Sequence, residues 1–204
     1  MTEISGLKHG PLSSDTAHLC IDMQVMFDRD SPWATPWLRH VLPRVVALSE
    51  PHAARTIFTR FLPPERADDL PGAWKPYYKR WAQMTREALD PSAMELVPEL
   101  RLFTPPGRVF DKLTYSPWVD GGLHAGLRSA GIDTLVISGG ETDVCVLAAV
   151  LGAIDLGYRV VVAADALCSS ANDTHDAALG LFKDRFGQQL ETALVEEILA
   201  EWRV

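Results

Sequence analysis

A strand, a glycine turn and a helix are predicted in direct succession across residues 135–149, which read LVISGGETDVCVLAA. Residues 135–138 are apolar or small, which is typical of a strand covered on both faces of a parallel sheet. Gly139 and Gly140 permit a tight turn, and the Thr-Asp pair at 142–143 can cap the following helix. A buried strand leading directly into a helix indicates an α/β fold.

Cys145 lies where this helix begins. Free backbone N–H groups in the first turn and the helix dipole both favour a thiolate, and they can also bind an oxyanion. We therefore take Cys145 as the candidate nucleophile, with a buried structural cysteine as the alternative. That structural role is the one we assign to Cys20, in the first strand, and to Cys168, which is predicted in a loop after a strand.

Strand-like and helix-like segments alternate along the chain, which predicts a single domain with a doubly wound, mainly parallel sheet of about six strands and helices on both faces. Right-handed crossovers are expected. Residues 1–16 are predicted as an N-terminal extension and residues 17–204 as the domain. The predicted strands are 17–21, 55–59, 108–111, 134–138 and 159–163. The predicted helices are 38–50, 77–88, 123–130, 142–156 and 173–186, followed by a closing segment at 190–202.

Residues 60–106 are the least regular part of the chain. Eight prolines interrupt them and leave one plausible helix. Long irregular excursions of this kind are typical of active-site lids or subunit contacts. We therefore expect a lid or an oligomer contact here, and a homo-oligomer, dimer or tetramer, as the assembly.

Composition restricts the partners. The formal net charge is -8 and basic residues form no run, which argues against a nucleic-acid or membrane surface and favours a small-molecule substrate. Three cysteines without a C-x-x-C pair fit a reducing compartment. Residues 1–11 lack the apolar core of a signal peptide, and no later run is long enough to span a bilayer. A cytoplasmic protein is expected.

Three predicted strands end next to residues with reactive side chains. Asp22 follows the first strand, Lys112 ends the third and Cys145 follows the fourth. The carboxyl ends of parallel strands share one edge of the sheet, so these residues can meet in one crevice. A thiol nucleophile, a carboxylate base and a cation that stabilises charge form a set suited to attack on a carbonyl. Unconnected surface polar residues remain the alternative, because strand ends of this fold collect polar side chains.

Further residues near the strand ends are candidates for substrate binding. Arg60 could bind a substrate carboxylate or ureido oxygen through two hydrogen bonds, or it could form an ion pair with a neighbouring loop. Phe27, Trp33, Tyr115 and Trp118 are expected to wall the pocket, with simple packing as the alternative.

Three segments resemble the signature segments of the isochorismatase-like cysteine hydrolases, in matching order and spacing. They are Asp22-Met-Gln24 with Phe27, the KLTYS run at 112–116 and the GGETDVCV run at 139–146. The likeness extends from about residue 17 to residue 177 and is weakest over 63–106. It implies a parallel α/β fold and a catalytic triad of Asp22, Lys112 and Cys145. Such a triad hydrolyses amide or carbamoyl C–N bonds through a thioester.

The same resemblance implies a specific backbone arrangement before the cysteine. The peptide bond between Gly140 and Glu141 is expected to be cis. The backbone N–H groups of Glu141 and Cys145 are then expected to form the oxyanion hole. Gln24 is interpreted as a side chain that fixes a loop by hydrogen bonding.

Departures from the family pattern narrow the range of activities expected for this chain. Metal-dependent nicotinamidases carry an Asp-x-His and a further His after the second strand, whereas residues 59–63 here read TRFLP, and the six histidines show no H-x-H spacing. We expect neither a metal nor another cofactor. Members that cleave a vinyl ether can dispense with the cysteine, so Cys145 favours C–N hydrolysis. Vinyl ether or ester hydrolysis remains one alternative, and a catalytically silent small-molecule-binding protein is another.

Overall fold

The computed structural model describes residues 7–28 and 30–203, so part of the predicted N-terminal extension, residues 1–6, lies outside the described residues. The described residues form six β-strands and seven α-helices. The strands are β1 (Thr16–Ile21), β2 (Thr56–Phe61), β3 (Arg108–Lys112), β4 (Thr134–Gly140), β5 (Arg159–Cys168) and β6 (Leu190–Ala193). The helices are α1 (Leu38–Ser49), α2 (Trp74–Arg80), α3 (Pro98–Arg101), α4 (Gly122–Ser129), α5 (Leu147–Asp155), α6 (Asn172–Asp184) and α7 (Val195–Glu201).

The strands form one sheet in the order β3-β2-β1-β4-β5-β6, and every neighbouring pair is parallel. The chain builds outward from β1 through β2 to β3 and then crosses to the other side at β4. In such sheets, ligands bind beyond the carboxyl ends of the strands where the order reverses. The predicted doubly wound fold is confirmed, and its binding edge lies beside the ends of β1 and β4.

Both faces of the sheet are covered. On one face, α1 and α7 bury apolar side chains such as Val45, Leu48 and Ile198. On the other, α4, α5 and α6 contribute Leu127, Val150 and Phe182. Each large apolar side chain removed from water stabilises the fold by about 1.5–3 kcal/mol. Burial from two sides explains why the central strands read as unbroken apolar runs.

Gly139 is required where β1 and β4 come closest. Its φ of +109° is a conformation that side-chain-bearing residues rarely adopt. A Cβ atom at this position would lie 2.1 Å from the carbonyl oxygen of Ile21. Glycine therefore lets the end of β4 approach the end of β1, which brings the residues after both strands together.

The helix predicted at 77–88 begins earlier and is shorter. The structure has α2 at Trp74–Arg80, followed by a short 3-10 turn at Ala82–Met84. Pro76 is tolerated because it lies in the first turn, where backbone N–H groups have no partner within the helix. The aromatic side chains of α2 pack against Trp33 and Phe61, which sets the helix boundaries.

The fifth strand is longer than predicted, and Cys168 ends it instead of lying in a loop. Its pairing with β4 is interrupted between Ile137 and Gly139 and then resumes, with Gly140 opposite Cys168. The polar Asp165 falls in this irregular part, which explains why the sequence pattern predicted an earlier end. Cys168 therefore packs under the turn that leads to Cys145.

The described part of the N-terminal segment packs onto the domain. The backbone N–H of Leu12 donates to the carbonyl oxygen of Glu201, and Leu12 pairs with Trp202. The Arg159 guanidinium donates to the carbonyl oxygen of Gly10. None of the helices formed by the described residues combines the length and apolar character needed to cross a bilayer.

Candidate active site

Asp22 follows β1 and adopts a left-handed conformation with a φ of 48°. This conformation is uncommon for a residue other than glycine and costs about 1 kcal/mol or more, so surrounding contacts must hold it. Thr59 of β2 supplies two of them: its hydroxyl accepts a hydrogen bond from the backbone N–H of Asp22 at 3.1 Å and donates one to Asp22 Oδ1 at 2.5 Å. The Asp22 carboxylate is thereby fixed at the carboxyl end of the sheet.

Lys112, the last residue of β3, reaches across β2 to Asp22. Its Nζ lies 2.6 Å from Asp22 Oδ2, donates to the carbonyl oxygen of Thr114 at 3.1 Å and lies 5.0 Å from the ring centroid of Phe61. The two side chains of the ion pair are 3% and 1% exposed. Removing either partner of an ion pair buried in this way would leave an uncompensated charge in the interior and destabilise the fold.

The thiol of Cys145 interacts electrostatically with both charged groups. Burial raises the pKa of Cys145 well above its ordinary value; Asp22 raises it further, and Lys112 acts in the opposite direction. Burial lowers the pKa of Lys112, but Asp22 and Cys145 raise it, and the net direction is upward. The expected effect of the helix start on the thiol is therefore outweighed by burial, and the resting site contains a thiol beside an ammonium–carboxylate pair.

The segment from β4 to Cys145 is compact and irregular. The peptide bond between Gly140 and Glu141 is cis, at the position that the family resemblance implies. Residues Thr142–Val146 form one π-helical turn before α5, so the helix predicted at 142–156 does not begin as a regular α-helix. The Thr142 hydroxyl anchors the turn by donating to the carbonyl oxygen of Cys168 at 3.0 Å. Turns of this kind often occur at functional sites.

A cavity of about 380 Å³ opens at Cys145. A volume of this size is typical of small-molecule sites. Its walls come from the loop after β1, from the end of β2, from α2 and the residue that follows it, from the loop after β3 and from the turns that follow β4 and β5. The lining residues are Phe27, Pro32, Trp33, Ala34, Phe61, Tyr77, Trp81, Tyr115, Glu141, Val144, Cys145 and Ser170.

The chain matches the isochorismatase domain family over residues 16–193, which is most of its length. It belongs to the isochorismatase family. This isochorismatase-family chain is also 34% identical over 80 residues to the uncharacterized isochorismatase family protein PncA of Bacillus subtilis (strain 168). The aligned stretch covers 39% of this chain and 44% of that protein, so it spans less than half of the relative.

The fold of this chain resembles those of several solved structures over most of its length. A cysteine hydrolase from Pseudomonas syringae pv. phaseolicola 1448A superposes with a TM-score of 0.81 at 20% identity, covering 99% of this chain and 100% of the other. An N-carbamoylsarcosine amidase from Thermoplasma acidophilum gives 0.70 at 22% identity, with coverage of 89% and 96%. The nicotinamidase PncA from Bacillus subtilis gives 0.73 at 22% identity, with coverage of 87% and 99%. At these identities the likeness shows the fold alone, and the family membership places the chain among the isochorismatase-like hydrolases.

The residues predicted to bind substrate divide into two groups in this family member. Phe27 and Tyr115 line the cavity beside Cys145, whereas Arg60 and Trp118 are not among its lining residues. The Arg60 guanidinium binds Asp111 through two hydrogen bonds of 2.7 and 2.9 Å and also contacts Glu95. Arg60 therefore forms an ion pair, which was the alternative to substrate binding. The Trp118 indole donates to the carbonyl oxygen of Ala149 and fills space beside α5. Trp118 is thus a packing residue, which was the alternative to a place in the pocket wall.

Several residues that shape the site were not predicted from the sequence. Thr59, which positions Asp22, is an ordinary polar residue near the end of a buried strand and gives no signal by itself. Tyr77 and Trp81 line the cavity, and their spacing of four residues is the available signal because such residues share a helix face. Gln24 fixes the loop as expected: its amide bonds both the N–H and the carbonyl oxygen of Phe61.

Within residues 7–28 and 30–203, no group of three or more His, Cys, Asp or Glu side chains is placed to hold a metal ion. His18 is buried within β1, where burial first and His52 second lower its pKa to about 3. Its ring contacts the Ser138 hydroxyl at 2.7 Å, so it belongs to a buried polar network.

Proposed function

We propose that this protein is a cysteine-dependent hydrolase that cleaves a C–N bond of a small amide, carbamoyl or ureido compound through a thioester intermediate. The observation that carries the proposal is the placement of Cys145. Cys145 lines the cavity, and its thiol interacts electrostatically with the buried pair of Asp22 and Lys112. A nucleophile that lines a small-molecule cavity thus interacts with a buried proton acceptor and a buried cation.

In the first half-reaction, Asp22 accepts the proton of the Cys145 thiol as the sulfur attacks the substrate carbonyl. The backbone N–H groups of Glu141 and Cys145 are proposed to bind the oxyanion that forms. Asp22 then returns the proton to the nitrogen as the C–N bond breaks. Ammonia or an amine leaves, and the acyl group remains on sulfur as a thioester.

In the second half-reaction, a water molecule attacks the thioester carbonyl and gives one proton to Asp22. Collapse of this intermediate breaks the C–S bond, Asp22 protonates the departing Cys145 thiolate, and the acid is released. Lys112 keeps its charge throughout and stabilises whichever of Asp22 or Cys145 is anionic at each stage. The raised pKa of Cys145 fits this sequence, because the thiol ionises only as its proton moves to Asp22.

One further consideration supports an amide or carbamoyl substrate. The fold neighbours include proteins named as an N-carbamoylsarcosine amidase and a nicotinamidase.

We also propose that part of the 60–106 excursion forms the outer wall of the substrate site, because Tyr77 and Trp81 line the cavity. An assembly of two or four copies, without a nucleic-acid partner, remains our expectation.

Ammonia release from a panel of small amides, ureides and carbamoyl compounds tests this function. We expect release from at least one class, with a rate that a chelator leaves unchanged and added zinc does not increase. The reason is that the proposed chemistry requires only Asp22, Lys112 and Cys145. Activity that a chelator abolishes and zinc restores would contradict the metal-independent mechanism, and hydrolysis of esters without any amide would contradict the C–N assignment.

A further inference from the structure

The cavity beside Cys145 is built largely from aromatic rings. Trp33 is central: its ring stacks on Phe27 with centroids 6.2 Å apart and lies 6.1 Å from the centroids of Phe61, Tyr77 and Trp81. All five rings line the cavity. The face of an aromatic ring carries partial negative charge and attracts cations placed within about 6 Å of its centre. Several rings around one space therefore favour a weakly hydrated cation.

The charged groups that line the cavity also favour a cation. The twelve lining residues that belong to the described ranges 7–28 and 30–203 include no lysine, arginine or histidine. Burial is the largest of the causes that raise the pKa values of Tyr77, Tyr115 and Cys145, so these three groups are uncharged near neutral pH. The charge of Lys112 is balanced by Asp22 at 2.6 Å. Among the described lining residues, Glu141 is thus the one that brings an unbalanced formal charge, and that charge is negative.

Glu141 is also fixed in place. Its Oε1 accepts a hydrogen bond from the backbone N–H of Ser170 at 3.1 Å, and both residues line the cavity. The influence of its carboxylate on the cavity is visible in Tyr115, whose pKa is raised mainly by burial and further by Cys145 and Glu141. A substrate carboxylate entering this space would meet the like charge of Glu141, and the described lining residues offer it no cation.

From these observations we propose that the substrate is a cationic amide, in which a quaternary ammonium or similarly weakly hydrated cation lies close to the scissile bond. The cation is held by the rings around Trp33 and by the carboxylate of Glu141. This inference rests on the proposed hydrolase function for the identity of the reacting bond. The charge preference itself is a property of the cavity.

Three small amides of similar shape separate charge from size. Trimethylammonioacetamide carries a positive charge, tert-butylacetamide replaces the nitrogen by carbon without charge, and malonamate carries a carboxylate. Calorimetric titration into the Cys145→Ala chain measures binding without turnover. We expect the cation to bind about tenfold more tightly than the tert-butyl compound, because burial is equal and the cation–π and ionic attractions differ. Malonamate is expected to bind most weakly.

Two variants test whether Glu141 causes the preference for the cation. Glu141→Gln keeps the shape of the side chain, and we expect it to remove most of the preference for the cation without changing affinity for the tert-butyl compound. Asp143→Asn is the matched control, since Asp143 lies in the same turn, accepts a hydrogen bond from Ser169 and does not line the cavity. Equal losses in both variants would assign the preference to the general field of the acidic chain and overturn the role of Glu141.

The outcomes also separate this inference from the hydrolase function. Equal or tighter binding of the tert-butyl compound or malonamate overturns the cationic substrate. If the native chain then releases ammonia from the tert-butyl compound with the higher kcat/KM, the hydrolase function stands and only the charge assignment fails. Preferential binding of the cation, without ammonia release from any amide, supports the cation site and contradicts the hydrolase function.

Discussion

Replacement of Cys145 by alanine is expected to lower kcat for amide hydrolysis by at least about 10⁴-fold, which is typical for loss of a catalytic nucleophile. The variant retains the cavity, Asp22 and Lys112, but no atom remains that can form the thioester. Substrate affinity should change little, since the rings and Glu141 supply most of the lining. Steady-state ammonia release on the best substrate of the panel measures the effect.

Cys20→Ala is the matched control for this substitution. Cys20 is fully buried within β1 and lies outside the cavity lining. We expect it to lower the free energy of unfolding modestly, through a small core cavity, and to leave kcat near the native value. Native-like turnover by Cys145→Ala, or an equal loss of kcat in both variants, would show that Cys145 is not the nucleophile.

Replacement of Lys112 by methionine is expected to lower the free energy of unfolding by about 3–5 kcal/mol, because it leaves the Asp22 carboxylate buried without its cation. Activity should fall as well, because no cation remains to stabilise the negative charge that moves between Asp22 and Cys145. Urea denaturation followed by circular dichroism gives the change in stability, provided the unfolding transition is two-state.

The double variant Asp22→Asn with Lys112→Met separates stability from catalysis. Removing both charges is expected to recover a large part of the lost stability, while activity stays absent because the proton acceptor is gone. Arg60→Met is the control, because Arg60 pairs with Asp111 and Glu95, whose side chains are 41% and 44% exposed. Its expected cost is about 1 kcal/mol. Equal costs for Lys112→Met and Arg60→Met would contradict the importance of the buried pair.

The fold was predictable because its determinants are local and repeated. Strands apolar on both faces, such as residues 134–138, alternate with helical segments, and this pattern permits few arrangements other than a covered parallel sheet. The proximity of Asp22 and Lys112 was also predictable, since one follows and the other ends a strand of that sheet. Neither prediction requires knowing how any individual side chain packs.

Features that depend on tertiary packing were not predictable in the same way. The position of α2 is determined by the contacts of Trp74 with Tyr115 and of Tyr78 with Trp33, which no local pattern reveals. Arg60 has the chemistry of a substrate-binding residue, but Asp111 lies opposite it in the neighbouring strand and binds it instead. The pKa of Cys145 follows from its depth in the fold, and the sequence showed only the helix start.

Mass spectrometry of the acid-quenched native chain during turnover tests the central claim most directly. The proposed mechanism predicts a mass increase, equal to that of the amide substrate minus ammonia, on the peptide that contains Cys145. The increase should be absent from the Cys145→Ala chain. An acyl group on another residue, or steady hydrolysis with Cys145 unmodified at every quench time, would contradict the thioester mechanism.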